Sequence, residues 1–192
     1  MKTSKEIEQF FQNQMEEIKD KFLDLVEINF KEDKEIHPVM ICVEFDNLNS
    51  LPKIGIVSLD FAFSLDKESR NNAIASVIQK LKPMICLIVS EAWYLKFDKG
   101  EFTDSELPTP STSENREECV LVDIISPYQT ICITIPIDIN FLEINNGVPP
   151  KTLNRENMTI SKDFESVFNL IYTKVGITKT ELEEKLKHSV TN

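Results

Sequence analysis

The chain has 192 residues, 41% of them hydrophobic and 28% charged, with a formal net charge of −11. That length can bury a core without metal or disulfide staples, and the composition is that of a globular domain rather than a disordered or fibrous chain. No apolar run approaches the roughly 20 residues of a membrane span, the longest being Met84–Val89, and an acidic balance of this size disfavours direct contact with nucleic acid.

One domain over 1–192 is expected. The opening Met1-Lys2-Thr3-Ser4-Lys5-Glu6 is charged and lacks the apolar core of a secretion signal, so the expected location is the cytoplasm. Abundant Ile, Lys, Asn and Glu suggest an AT-rich genome, that of a low-GC bacterium or its phage.

Thr3-x-x-Glu6 forms a capping box, which satisfies two orphan amides at a helix start. Ile7, Phe11, Met15, Ile18, Phe22 and Leu25 follow at spacings of four and three, close to a heptad seam. A helix over about 4–30 is expected. Its stripe either packs on a sheet or zips to a second copy, giving a homo-oligomer through helix 1.

Two strands come next. Val39, Ile41, Val43 and Phe45 share one face of 37–45, and Val57, Leu59, Phe61 and Phe63 one face of 54–63. Asn47-x-Asn49-Ser50-x-Pro52 joins them as a hairpin. Asp66 caps a helix over about 67–82 with Ile74, Val77, Ile78 and Leu81 on its buried face, and Pro83 ends it. A strand over 84–97 completes a strand–helix–strand crossover.

Residues 98–116 read as a polar loop with five acids, expected to be exposed and mobile. Strands 117–126 and 130–139 form a hairpin through Ser126-Pro127-Tyr128-Gln129, the second with Ile131, Ile133, Ile135, Ile137 and Ile139 on one face. Residues 145–160 read as a polar connection. Two helices close the chain over about 162–190. The first carries Phe164, Val167, Phe168, Ile171 and Tyr172 and is capped by Gly176. The second opens on a Thr178-x-x-Glu181 box, and its thin apolar face of Leu182, Leu186 and Val190 leaves it open to fraying. The order α-β-β-α-β-β-β-α-α describes an α+β domain: a mainly antiparallel sheet of about five strands with helices packed on it.

Much chemistry is excluded. Four glycines, Gly55, Gly100, Gly147 and Gly176, build no phosphate-cradling loop, and neither nucleotide-binding nor nucleophile-elbow motifs occur. With only His37 and His188, a zinc site built from several histidines is ruled out. Cys42, Cys86, Cys119 and Cys132 lie in apolar strand-like runs with no C-x-x-C pair, which reads first as small buried hydrophobes, with zinc binding and redox chemistry as the alternatives. No cofactor and no metal is expected.

A constellation remains. Alternation along 84–97 puts Glu91 in an apolar row beside Trp93, the only tryptophan. A carboxylate there has three outcomes: a bulge turns it outward, a cation or backbone amide pairs with it, or it works as an acid in a pocket. Arg116 is the only base in residues 101–150, against nine acids. If the hairpin closes, it lies near Trp93, either paired with Glu91 or stacked on the indole. Glu118 points the same way. Glu91, Trp93, Arg116 and Glu118 are therefore the candidate binding cluster, with Glu91 and Glu118 as candidate catalytic carboxylates.

Ser90-Glu91-Ala92-Trp93, followed after a loop by Pro110-Ser111-x-x-x-x-Arg116-x-Glu118, resembles a family of small bacterial and phage proteins with no assigned activity. In them an E-A-W strand precedes a P-S-x-x-P-x-R-x-E motif and an apolar hairpin. The likeness covers about residues 66–138 and departs at Glu114, where the family often has proline. It implies that Glu91, Trp93, Ser111, Arg116 and Glu118 belong together, and it implies no reaction.

The leading expectation is a non-catalytic binding or regulatory protein that acts through protein–protein contacts; the acidity of residues 101–150 either suits a basic partner or serves solubility alone. One alternative is a small hydrolase or acid–base enzyme using Glu91 and Glu118; another is a structural or oligomerising component.

Overall fold

The structure, a computed structural model, describes residues 3–95, 116–143 and 149–188. Ser111 and all of the acidic loop except Arg116 lie outside the described residues, as does Val190.

Helix α1 spans Ser4–Asp33, and its capping box closes as expected: Glu6 N–H donates to Thr3 Oγ1 at 3.3 Å and Thr3 N–H to Glu6 Oε2 at 2.7 Å. Lys34 ends it in the left-handed region at φ 62°. The buried stripe is Ile7, Phe11, Met15, Phe22, Leu23, Val26 and Phe30. It departs from the expected seam at Leu25, which is 53% exposed, while Val26 is buried. A straight helix turns 3.6 residues per turn and drifts away from a 3.5-residue seam, and the buried stripe follows the sheet on which it packs.

Strands β1 (Val39–Glu44) and β2 (Lys53–Ser58) form the expected hairpin. Asn47 Oδ1 accepts from Asn49 N–H, and Ser50 Oγ from Asp46 and Asn47 N–H. The second strand stops at Ser58 instead of running to residue 63, and Asp60–Phe63 forms a short helix, α2. Ser58 and Asp60 bond each other there, which turns the chain, and Leu59 goes into the core. Helix α3 (Lys67–Leu81) is capped by Asp66, which accepts from Glu68 and Ser69 N–H. Ile74 and Ile78 are its buried residues.

Strands β3 (Ile85–Tyr94), β4 (Glu117–Ile125) and β5 (Thr130–Ile139) follow. Two short strands follow, β6 (Lys151–Leu153) inside the stretch 145–160 expected to be a polar connection and β7 (Thr159–Lys162) across its end. Each is too short for a period-2 pattern, and each forms only because the outer edge of β5 is there to pair with. The sheet thus has seven strands rather than five. Its order is β2-β1-β3-β4-β5-β6, with β7 also on β5, and every pairing is antiparallel. With β1 between them, β2 and β3 run parallel to each other, so the connection through α3 is the expected crossover.

Helix α4 (Val167–Val175) begins later than 162, where Ser166 Oγ accepts from Asn169 N–H. It ends at Gly176, where a Cβ would stand 2.5 Å from the Tyr172 carbonyl oxygen. Helix α5 (Lys179–His188) opens on the Thr178–Glu181 box and is anchored by buried Leu182 and Leu186. Helix α1 covers the face of the sheet that carries Val39, Ile41 and Val89. Helix α4 packs on β4, with α3 against it, and Tyr172 Oη–H bonds the Pro83 carbonyl at 2.7 Å. The central strands are buried on both faces, and their residues form one core cluster with those of the helices. Among the described residues no helix is long and apolar enough to cross a membrane.

Candidate functional site

Strands β3 and β4 assemble the site. Their ladder runs without a break from Cys86 opposite Ile125 to Tyr94 opposite Glu117. No bulge interrupts it at Ser90-Glu91, so Glu91 stays on the α1 face, opposite Val120, with Trp93 two residues on and opposite Glu118.

Glu91 is half-buried, and its Oε1 accepts the Ile36 amide at 2.8 Å. Ile36 lies just beyond the end of α1, so the carboxylate ties the helix exit to the sheet. Of the three outcomes open to Glu91, this is pairing with a backbone amide.

Arg116 adopts the stacked arrangement. Its guanidinium carbon lies 3.9 Å from the centroid of a Trp93 ring. Trp93 remains 45% exposed beneath it. Glu118 faces the same region and takes a hydrogen-bonded ion pair from Lys151 Nζ at 2.6 Å. Tyr94 Oη–H bonds Glu117 at 2.7 Å. Together Trp93, Arg116, Glu117, Glu118, Asp138 and Phe141 line most of an open depression of about 510 Å³. The structure thus brings Trp93, Arg116 and Glu118 to one opening. Glu91 adjoins on the same face, but its carboxylate is turned to Ile36.

Sequence reasoning missed Lys151, Asp138 and Phe141. Lys151 carried a signal: it is the next base after Arg116 in the chain. Asp138 and Phe141 carried none, since only the β4–β5 pairing brings the end of β5 beside the start of β4.

A second polar group lies elsewhere, on the opposite face. Asp123 of β4 is buried opposite Cys132, and neither carboxylate oxygen has a full hydrogen bond. Burial pushes its pKa up to about 6, only partly offset by the nearby Cys132 thiol and Ser166 hydroxyl. Burial likewise pushes the Cys42 and Cys119 thiols to about 11 and Cys132 to about 12, which makes them poor nucleophiles. His37 is exposed between Glu35 and Asp60. Among the described residues no three His, Cys, Asp or Glu side chains converge as a metal centre requires.

Compared with known proteins, the chain matches no family model, no curated protein and no solved structure.

Proposed function

We propose that this is a non-catalytic binding protein of a bacterium or phage, acting in the cytoplasm, whose depression at Trp93 receives a basic segment of a protein partner. The observation that carries the reading is the exposed tryptophan. A chain with one tryptophan ordinarily buries most of it, because an indole removes a large apolar area from water. Here it stands at an opening with Phe141, under Arg116, and the remaining charges of the lining are Glu117, Glu118 and Asp138. An aromatic surface bordered by carboxylates suits lysine and arginine side chains, which lay their stems on the exposed part of Trp93 and on Phe141 and direct their charges to acids such as Asp138, Glu118 being held by Lys151.

The acid–base alternative is less well supported. Such chemistry needs a carboxylate free to exchange a proton with substrate, whereas Glu91 holds Ile36 N–H and Glu118 holds Lys151.

Trp93 is also the reporter, since no other tryptophan contributes to the emission. A lysine- and arginine-rich peptide titrated into the protein at low salt is expected to shift Trp93 fluorescence saturably. An acidic peptide of equal length is expected to leave it unchanged. Raising the salt from about 50 to about 500 mM should weaken the response, and Asp138→Asn should weaken it several-fold. No response to the basic peptide, or an equal response to both, overturns the reading.

A further inference from the structure

The depression at Trp93 already holds a cation of its own chain. Among the described residues that line it, Arg116 is the one base, against Glu117, Glu118 and Asp138. Its guanidinium carbon stands 3.9 Å from the centroid of a Trp93 ring, well inside the reach of a cation–π contact. The two residues are anchored differently. Trp93 sits within the β3–β4 ladder, opposite Glu118, whereas Arg116 lies one residue outside the last rung, Tyr94 opposite Glu117. The strand therefore fixes where the indole stands, and the arginine reaches it from beyond the sheet. Neither is sealed in the core: Arg116 is exposed, and Trp93 stays 45% exposed with the guanidinium on it. A second base acts in the same way, since Lys151 Nζ holds Glu118 at 2.6 Å. The chain's own cations thus occupy both an aromatic ring and an acid of the site.

We propose that Arg116 is an internal competitor at this depression: it occupies the part of Trp93 that an arginine of the partner takes, and the partner binds by displacing it. The inference rests on the reading of the depression as a site for a basic segment. Repulsion argues for displacement rather than addition. A partner cation brought onto the covered part of the ring meets a positive charge within contact distance, where like charges repel strongly. Once Arg116 leaves, the same ring and the same carboxylates face the newcomer. Chemistry selects arginine. The chain itself shows this ring accepting a planar guanidinium, which stacks on an indole, whereas a lysine ammonium is a compact, strongly hydrated charge. The competition also tunes affinity. A stack at an exposed site shifts an equilibrium about two- to five-fold. It is one among the interactions of Arg116, so displacement weakens apparent binding by at least about two-fold.

Titration of Trp93 fluorescence with an arginine-rich peptide at about 50 mM salt, in wild type, Arg116→Ala and Arg116→Lys, tests the proposal. Arg116→Ala is expected to bind at least about two-fold more tightly than wild type. Arg116→Lys keeps the charge and loses the planar stack, and should fall between the two. A lysine-rich peptide of equal length should bind Arg116→Ala more weakly than the arginine-rich one. A measurement on the wild type needs no binding variant: the Arg116 Nε–H resonance, assigned by its loss in Arg116→Lys, should lose its ring-current shift as the arginine-rich peptide saturates the site. Binding with that resonance still ring-shifted overturns the inference and leaves the depression a site for a basic segment. So does Arg116→Ala binding no more tightly than wild type, or Arg116→Lys matching wild type, which assigns the gain to charge alone. Equal binding of the two peptides by Arg116→Ala overturns the choice of arginine. No response to either peptide in wild type and in Arg116→Ala overturns the underlying reading as well.

Discussion

Asp123 is the residue whose environment is least like its sequence context suggests. It is the one acid in Cys119–Ile125, and 1% of it is exposed. Its folded-state pKa of about 6 lies above the ordinary value of 3.8, so between those values the native state binds more protons than the unfolded chain. Its contribution to stability is therefore free of penalty below about pH 4, falls as pH rises to about 6, and is constant above that. A shift of about two units corresponds to about 3 kcal/mol. Asp123→Asn should remove this dependence: urea titrations are expected to show the variant gaining stability over wild type from pH 4 to pH 7, by about 1–3 kcal/mol, with little difference at pH 4. Glu91 and Arg116 make the converse case. Glu91→Ala deprives the Ile36 amide of its acceptor and should cost about 1–2 kcal/mol, with Glu91→Gln retaining most of it. Arg116→Ala removes, among its interactions, the stack on Trp93, a contact worth about 0.5–1 kcal/mol at an exposed site. A larger loss for Arg116→Ala than for Glu91→Ala in denaturant titration would mean that Glu91 depends on the guanidinium after all.

At the scale of the element, α1 shows how a helix chooses between a sheet and a second helix. Its apolar residues up to Phe22 serve either seam, and the choice is made afterwards, where Val26 and Phe30 are buried and Leu25 is not. Met15→Ala is accordingly expected to cost about 2–5 kcal/mol as a core truncation, while Leu25→Ala changes stability by less than about 0.5 kcal/mol. Thermal or chemical unfolding of the two variants checks this, and equal losses would assign Leu25 to a packed seam. The helix is also held down by charge: Arg155, between β6 and β7, bonds Asp24 and Glu27 at 2.9 Å each, and Lys162 of β7 bonds Glu16 at 2.6 Å. Such exposed pairs contribute little individually, but they place α1 in register over the β5 edge. The short strands β6 and β7, which flank Arg155 and supply Lys162, left no trace in the residue pattern.

At the scale of the whole molecule, the α+β class, the two hairpins, the crossover and the identity of the central strands were legible in the sequence. Alternation and helical spacing report which residues leave water, and that preference belongs to each residue and its near neighbours along the chain. The capping boxes at Thr3 and Thr178 were legible for the same reason, since a helix start is satisfied by residues three positions apart. The nearness of Trp93, Arg116 and Glu118 followed from strand parity and a hairpin. Other features required the assembled sheet. Glu91 alternates like a core residue, yet its fate depends on Ile36, 55 positions away, whose amide had no signature in the residue string. Glu118 meets a lysine 33 positions on, Asp138 reaches the depression only through the β4–β5 ladder, and β6 and β7 exist only against β5. Sequence alone determined which segments would be helix or strand and most of the apolar residues they would bury, because both follow from side-chain chemistry at a local period. Only the tertiary structure decided which polar groups would meet, because a hydrogen bond or ion pair is a matter of a few ångströms between segments whose separation along the chain carries no such information.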